Sequence, residues 1–204
     1  MPNNKNQHYV SQFYLRYFSH DDKSITVFSL NDKIIKTEHA PIKNQSYKEY
    51  MYSRNLKYEL LLRDIEGLIK PIIDKILYTR KLPKFGTKEY FELSVFMLLQ
   101  SGRTLHAANF QNELLNKLYK ELFKNDINPK QPKTISIDDL NKTNFKYSYP
   151  SLLNLEAVVK AIPLMQDLDC KLIINITKNE FITSDNPVIL YNKYFYKEQL
   201  GYST

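Results

Sequence analysis

The sequence predicts an α+β protein in which long helices pack against a small, mainly antiparallel sheet. Three observations lead to this class. Apolar residues recur at helical spacing from Leu56 to Leu77. Two β-rich runs flank an Asn-Asp turn at residues 31–32, a pattern typical of a hairpin. Near the other end, the β-branched run Lys171–Thr177 indicates a buried strand.

The N-terminal part is predicted to contain a short helix and the hairpin. Residues His8 to Phe18 are dense in aromatics, and Ser11 is the expected N-cap. The aromatic side chains pair four residues apart, Phe13 with Tyr17 and Tyr14 with Phe18. Residues 25–30 and 33–37 are the two strands of the hairpin. Residues 38–53 are expected to be an irregular connection.

Two long helices follow. The helix over Leu56–Leu77 contains Pro71, which should kink it or divide it in two. After a loop, Thr87 is the expected N-cap of a second helix that continues to about Phe123. Its strongly apolar centre, residues 93–99, should be buried.

The last part of the chain is predicted to mix helix and strand. Residues 125–134 should be a loop and residues 136–141 a short helix. A third helix over Leu152–Leu168 contains Pro163, which should kink or split it. The final strands are expected at 171–177, 181–184 and 188–191, with an interruption at Asp185-Asn186-Pro187.

Length and composition limit the class of protein. The 204 residues suit a single domain with a sizeable core. Hydrophobic residues make up 43% and charged residues 25%, which argues against disorder. No stretch approaches the roughly 20 apolar residues of a membrane-spanning helix, and the first residues lack a signal-peptide core. We therefore expect a soluble protein that does not enter a membrane.

Cysteine content and net charge indicate the compartment and the partners. The single cysteine, Cys170, can form no internal disulfide, so a cytoplasmic location is expected. A net charge of +7 favours anionic partners, either nucleic acid or another anionic ligand. The codon usage of an AT-rich genome explains the same excess of lysine, so charge alone leaves the partner open.

Residue counts exclude several common sites. The four glycines, at 67, 86, 102 and 201, are too sparse for a phosphate-binding loop or a dinucleotide fingerprint. No two of the four histidines stand at the spacing of helical metal ligands, so no metal site is predicted. No Gly-x-Ser-x-Gly elbow is present to hold a catalytic serine.

Two clusters of polar residues near helices are candidates for a site. Gln7 and His8 precede the aromatic helix, where a histidine can face a cleft and titrate near neutral pH. The alternative is that His8 bonds a loop carbonyl and organises the N-terminus. Gln100, Arg103 and Thr104 share one helix face, where Arg103 can clamp a phosphate or carboxylate. The alternative is an ion pair between Arg103 and a buried carboxylate such as Glu66.

A third cluster, Ser184-Asp185-Asn186, interrupts the last strand, and sites often gather at strand ends. Asp185 can act as a base or bind a cation. The alternative is a turn in which these side chains bond their own backbone. Glu59 and Glu66 stand on one helix face, either as a carboxylate pair or as partners for Arg63 and other basic residues.

Three segments together resemble a widespread microbial family known only as domain of unknown function 4238. They are the N-terminal QHYVSQFYLRYF, the helical LLQSGRT and the strand-end FITSDNPV, and the resemblance spans nearly the whole chain. The family's first motif usually reads QHYVPxxYLxxF, so Ser11 replaces a proline here while His8 and Tyr14 are kept. The resemblance implies these site residues: His8, Gln100, Arg103, Ser184, Asp185 and Asn186. Members typically continue into a segment resembling FPLSP, so we expect a C-terminally truncated member.

These observations lead to a hypothesis in which the three clusters meet in one pocket. His8 would be the acid or base, Arg103 the anion clamp, and Asp185 the base or cation ligand. The ligand-binding residues would be Gln7, Tyr14, Gln100, Thr104, Ser184 and Asn186. The expected function is nuclease-like hydrolysis of phosphodiesters, assisted by histidine or a divalent cation such as Mg²⁺, by analogy in bacterial defence or toxicity. The alternative is a non-catalytic binding or regulatory module, in which the same residues form a structural hydrogen-bond network.

Overall fold

A computed structural model describes residues 5–125, 136–165 and 168–189, and it confirms the α+β class. The elements are β1 (Asn6–His8), α1 (Gln12–Arg16), β2 (Ser24–Ser29), β3 (Ile34–Pro41), β4 (Tyr47–Glu49), α2 (Lys57–Thr79), α3 (Lys88–Gly102), α4 (Leu105–Asn125), α5 (Ile137–Lys142) and α6 (Pro150–Ala161). Single 3₁₀ turns cover Ile42–Asn44 and Ile162–Met165. No helix among the described residues is long and apolar enough to cross a membrane.

The strands form two separate antiparallel sheets of two strands each. β2 and β3 are the predicted hairpin, but Ser29 lies opposite Ile34, so four residues connect the strands instead of two. β1 pairs with β4, and His8 lies opposite Tyr47. The prediction of an irregular connection over 38–53 is therefore wrong in part. Strands of three residues are too short to show the alternation by which strands are recognised.

The strands predicted in the last part of the chain are wrong. Residues 168–189 contain no strand, and positions 190 and 191 lie outside the described residues. Ile173, Ile176 and Ile182 are 79%, 93% and 93% exposed. β-Branched residues suit a half-buried pleated surface, but a strand also requires a neighbouring strand to bond with. Within the described residues, all strands of the two sheets therefore come from the N-terminal part.

α2 runs without a break through Pro71, so the proline does not divide the helix. Its buried residues, Leu62, Ile69, Ile72 and Ile76, lie on both sides of Pro71. They contact Phe13 of α1 and the apolar face of α3 in the core. This packing holds both halves of the helix, which offsets the hydrogen bond that the proline removes.

The long helix predicted from Thr87 to Phe123 is two helices. Thr87 caps α3 as predicted, since its side chain accepts from the Tyr90 amide. α3 ends at Gly102, where a β-carbon would lie 2.6 Å from Cγ2 of Val158 on α6. Thr104 then begins α4, and its Oγ1 accepts from the Ala107 amide at 3.2 Å. The corner at 102–104 turns the chain and buries Thr104 and its neighbour Arg103.

The remaining helices follow the prediction more closely. α6 ends at Ala161, and Pro163 lies in the 3₁₀ turn that follows, so the proline ends the α-helix. α5 matches the predicted short helix, and Ser136 caps it by accepting from the Asp139 amide at 3.0 Å. The loop predicted at 125–134 lies outside the described residues, except for Asn125 at the end of α4.

Two adjoining groups of apolar side chains form the core, and α1 contributes to both. Leu15 packs with the N-terminal segment and Tyr52, and Phe13 packs with α2 and α3. The predicted aromatic pairs are confirmed: ring centroids lie 6.2 Å apart for Phe13 and Tyr17, and 5.3 Å apart for Tyr14 and Phe18. The short helix α1 is therefore positioned by the core, and its exposed residues are presented at a defined place.

Replacing Gly102 by alanine tests the close approach of α3 and α6. We expect Gly102→Ala to lower the free energy of unfolding by about 1–3 kcal/mol, because the added methyl group overlaps Val158. The matched control is Gly67→Ala in α2, where a β-carbon meets nothing within 4 Å. There the change should raise stability by about 0.5–1 kcal/mol, since alanine is the better helix former. Urea denaturation measures both, and equal effects would contradict this packing.

Candidate functional site

Arg103 lies at the corner between α3 and α4, with only 2% of its surface exposed. Its Nε donates to the Tyr9 carbonyl at 3.2 Å. Its Nη2 lies 3.3 Å from the His8 carbonyl and 3.2 Å from the Ser11 hydroxyl. The same nitrogen donates to the Glu66 carboxylate at 2.8 Å. Arg103 therefore binds the protein's own backbone and pairs with Glu66. This ion pair is the alternative that the sequence offered to an anion clamp.

Ser11 explains why the N-terminal segment and α2 meet at this point. It stands at the N-cap position of α1, but its side chain makes no cap hydrogen bond, so the predicted role is wrong. Instead its hydroxyl donates to the Glu66 carboxylate at 2.7 Å. Both Ser11 and Arg103 thus bond one carboxylate oxygen of Glu66, which leaves that charge compensated.

Two predicted site residues, Gln7 and Gln100, are buried and bond the backbone. Gln7 donates to the Ser53 carbonyl at 2.9 Å and accepts from the Tyr52 amide at 2.7 Å. Gln100 donates to the Tyr9 carbonyl at 2.8 Å, the same acceptor that Arg103 uses. These contacts join the N-terminal segment to the loop before α2 and to the end of α3. They favour a structural role for both glutamines.

His8 is half-buried at the end of β1. With the proton on Nε2, its ring donates to the Lys43 carbonyl at 3.2 Å, and its Nδ1 accepts from the Gln12 amide at 3.4 Å. Burial lowers the pKa of His8 below 6.5, with Arg103 adding a smaller lowering. The ring is therefore neutral at pH 7 and can accept a proton, while its Lys43 contact matches the alternative that it organises the N-terminus.

The segment 183–187 lies near α1, because the Tyr14 hydroxyl is 3.0 Å from the Thr183 hydroxyl. Ser184 Oγ accepts from the Asn186 amide at 3.1 Å, so the segment forms a local turn. Asp185 is exposed. The pKa of Tyr9 is raised above 10, mainly by burial and to a smaller extent by the charge of Asp185.

A cleft of about 580 Å³ lies between α1 and α2, and both His8 and Arg103 line it. Its charged side chains are Arg16, Glu59, Arg63, Glu66, Lys70 and Arg103. Ser184, Asp185 and Asn186 do not line this cleft. His8 and Arg103 therefore line one cleft, and Asp185 is not among its lining residues. The three-residue pocket stays a prediction.

Glu59 is a titratable group of this cleft that was not among the predicted site residues. It is half-buried, and among the described residues it has no hydrogen-bond donor or ion-pair partner. Burial raises its pKa to about 7; Arg103 and Arg63 oppose the rise, and Glu66 adds to it. Glu59 is therefore a mixture of carboxyl and carboxylate near neutral pH. The spacing of Glu59 and Glu66 placed both on one face of α2. It did not show that Glu66 is paired whereas Glu59 has no partner among the described residues.

The cationic residues of the cleft were missed for a different reason. Arg16 is on α1, whereas Arg63 and Lys70 are on α2. A surface arginine gives no signal in the sequence until the packing of the two helices is known. Lys70 also pairs with Asp74 at 2.6 Å, so its charge is partly compensated.

The described residues contain no group of three or more His, Cys, Asp or Glu side chains that could hold a metal ion. Asp185 therefore belongs to no such group in the described part of the chain. The expectation of a divalent cation such as Mg²⁺ stays a prediction.

Comparison with known proteins identifies one family. The model of the family described as "Protein of unknown function (DUF4238)" matches residues 6–203. No curated protein and no solved structure matches the chain.

Removing the buried guanidinium tests its structural role. We expect Arg103→Met to lower the free energy of unfolding by about 3 kcal/mol, because Glu66 loses its counter-charge and the carbonyls of His8 and Tyr9 each lose one of two donors. Arg63→Met is the matched control: Arg63 lines the same cleft but is exposed, so its loss should change stability by less than about 0.5 kcal/mol. Chemical denaturation at neutral pH compares the two. If both variants are equally stable, Arg103 does not have the role that its contacts indicate.

Proposed function

The chain belongs to the DUF4238 family, whose description names no activity, and we propose that it binds phosphate-bearing ligands, above all nucleic acid, in the cleft between α1 and α2. The observation that carries this proposal is the charge of the cleft. Arg16 and Arg63 are exposed there on opposite walls. Glu66, the nearer of the two carboxylates to Arg103, is already compensated by that arginine.

The balance of charge in the cleft favours an anion. Once Arg103 and Glu66 are paired, Arg16 and Arg63 face a single carboxylate, that of Glu59. Because the pKa of Glu59 is about 7, part of the population carries no negative charge on this residue at neutral pH. Arginine side chains bind phosphate through two parallel donors, so Arg16 and Arg63 suit this ligand chemistry.

The shape of the site favours a ligand with more than one phosphate. Arg63 and Lys70 are seven residues apart on α2, which places them about 10 Å apart along the helix axis. Two phosphates of one ligand can therefore bind the two side chains separately. The cleft volume of about 580 Å³ lies within the range of pockets that bind small ligands. A short single strand of nucleic acid meets both conditions, and a cytoplasmic location would give access to it.

Anisotropy of a labelled, short oligothymidylate tests the binding proposal. We expect the wild-type chain to bind it with a log–log salt dependence of slope about −2, which corresponds to three phosphate contacts on a single strand. The double variant Arg63→Glu/Lys70→Glu should bind at least about tenfold more weakly at low salt. The control, Lys178→Glu, changes an exposed lysine outside the cleft and should bind within about twofold of wild type.

A second variant fills the cleft without changing its charge. Gly67 lines the cleft, and the space around its missing β-carbon is open, so Gly67→Phe should be accommodated and should prevent binding. The Gly67→Ala variant should bind as wild type does. Equal binding by wild type and Gly67→Phe would place the ligand elsewhere and contradict the proposal.

Hydrolysis of a phosphodiester is the second candidate, and the observation that favours it is the presence of Glu59 and His8 in the same cleft. Burial raises the pKa of Glu59 above its ordinary value, to about 7, and lowers the pKa of His8 below its ordinary value. Glu59 can therefore exchange a proton near neutral pH, and the neutral His8 ring can accept one, which general acid–base catalysis requires.

The reaction would use these two groups as base and acid. One of them removes a proton from water as the water oxygen attacks phosphorus. The bond between phosphorus and the leaving ester oxygen then breaks, and the other group donates a proton to that oxygen. Arg16 and Arg63 would stabilise the charge that develops on the phosphoryl oxygens.

Cleavage of the same oligothymidylate distinguishes catalysis from binding. If the cleft is catalytic, Glu59→Gln should lower the cleavage rate by about a hundredfold or more while the oligonucleotide still binds. The assay follows product length on a gel, with Mg²⁺ and with chelator in parallel. If wild-type protein and Glu59→Gln leave the oligonucleotide equally intact under both conditions, the chain binds without hydrolysing it.

A further inference from the structure

The two carboxylates of the cleft are held in different ways, although they stand on one face of α2. Glu66 accepts from the Ser11 hydroxyl at 2.7 Å and from Arg103 at 2.8 Å, and both donors are buried. Among the described residues, no donor bonds Glu59. A carboxylate that is half-buried and has no donor is destabilised in its charged form. The cleft therefore contains one carboxylate that is ion-paired and hydrogen-bonded and one, Glu59, that has no donor among the described residues.

Charged and titratable groups face Glu59 from every element around the cleft. They are Arg63 and Glu66 on α2, Arg16 on α1, His8 at the end of β1, Tyr52 in the loop before α2, and Arg103 at the α3–α4 corner. Burial is the main cause of the raised pKa of Glu59, ahead of the charges of Arg103, Glu66 and Arg63. An additional negative charge in the cleft would act in the same direction as Glu66 and favour the protonated form.

We propose that Glu59 takes up a proton when a phosphate-bearing ligand enters the cleft, so that the cleft releases its ligand as the pH rises. This inference rests on the proposed function and specifies how that same site is regulated. Below neutral pH, Glu59 is neutral, and a phosphate next to Arg16 and Arg63 meets no opposing charge. Above neutral pH, the ligand must either bind beside an ionised carboxylate or supply the free energy that protonates it.

The size of the effect follows from linkage. If bound phosphate raises the pKa of Glu59 by one unit, the dissociation constant increases by about fivefold between roughly pH 6 and pH 8. Proton uptake at pH 7 is then a fraction of one proton per ligand, because Glu59 is already partly protonated in the free protein. Glutamine in place of Glu59 has the shape of the protonated side chain and cannot titrate.

Short oligothymidylate is the appropriate probe because a phosphodiester has no group that titrates in this pH range. Inorganic phosphate and nucleoside monophosphates do titrate there, so their own protonation would contribute to the result. The anisotropy titration is run with the full chain at about pH 6 and about pH 8 at fixed salt. Calorimetry at pH 7 in two buffers of different ionisation enthalpy measures the protons taken up directly.

We expect wild-type protein to bind about fivefold more tightly at the lower pH and to take up protons. Glu59→Gln should bind with the same affinity at both pH values, close to that of wild type at the lower pH, and should take up no protons. His8→Gln should retain the pH dependence, which separates Glu59 from the other titratable group of the cleft. Circular dichroism at both pH values shows that each variant is folded.

The experiment distinguishes failure of the role of Glu59 from failure of the proposed function. If wild-type protein binds the oligonucleotide equally at both pH values, or if Glu59→Gln keeps the pH dependence and His8→Gln loses it, the role of Glu59 is overturned while the proposed function stands. If wild-type protein binds at neither pH, the proposed function is overturned together with this inference.

Discussion

A buried guanidinium must be surrounded by acceptors, and this requirement organises the N-terminal half of the molecule. Arg103 meets it with the carbonyls of His8 and Tyr9, the Ser11 hydroxyl and the Glu66 carboxylate. These partners lie 37 to 95 residues away along the chain. The contact therefore joins β1, α1 and α2 to the α3–α4 corner. Loss of the arginine would remove the counter-charge of Glu66 and one of the two donors of each carbonyl. Gln7 and Gln100 support the same segment through backbone hydrogen bonds.

The cleft is a consequence of this arrangement. Because Ser11 and Arg103 both bond Glu66, α1 is held beside α2, and Phe13 fills the core beneath them. Exposed residues of the two helices then line a cleft of about 580 Å³. The residues most conspicuous in the sequence hold the fold together, whereas less conspicuous ones, Arg16, Glu59 and Arg63, supply the charges that a ligand would meet. This division of roles is consistent with a binding site built on a rigid scaffold.

Sequence reasoning succeeded where local patterns decide the structure and failed where distant contacts do. Helical periodicity identified α2, the cap residue Thr87 identified the start of α3, and the short helix expected over 136–141 corresponds to α5. The break at Gly102 was missed because it depends on the approach of Val158, although the glycine followed by Thr104 was a local sign of a helix end and a new helix start. The pairing of Arg103 with Glu66 was considered as one of two roles. The position of residues 183–187 relative to the helices cannot be derived from spacing, so the pocket that joins Asp185 to His8 and Arg103 stays a prediction.

The most direct test of the account is an NMR titration of the isotope-labelled chain with oligothymidylate. It reports the position of the ligand residue by residue, without a mutation. The account predicts that amide shifts change along α1 and the first half of α2, around Arg16, Glu59, Arg63 and Gly67. Shift changes confined to residues 183–187 would contradict the cleft and restore the strand-end cluster as the site.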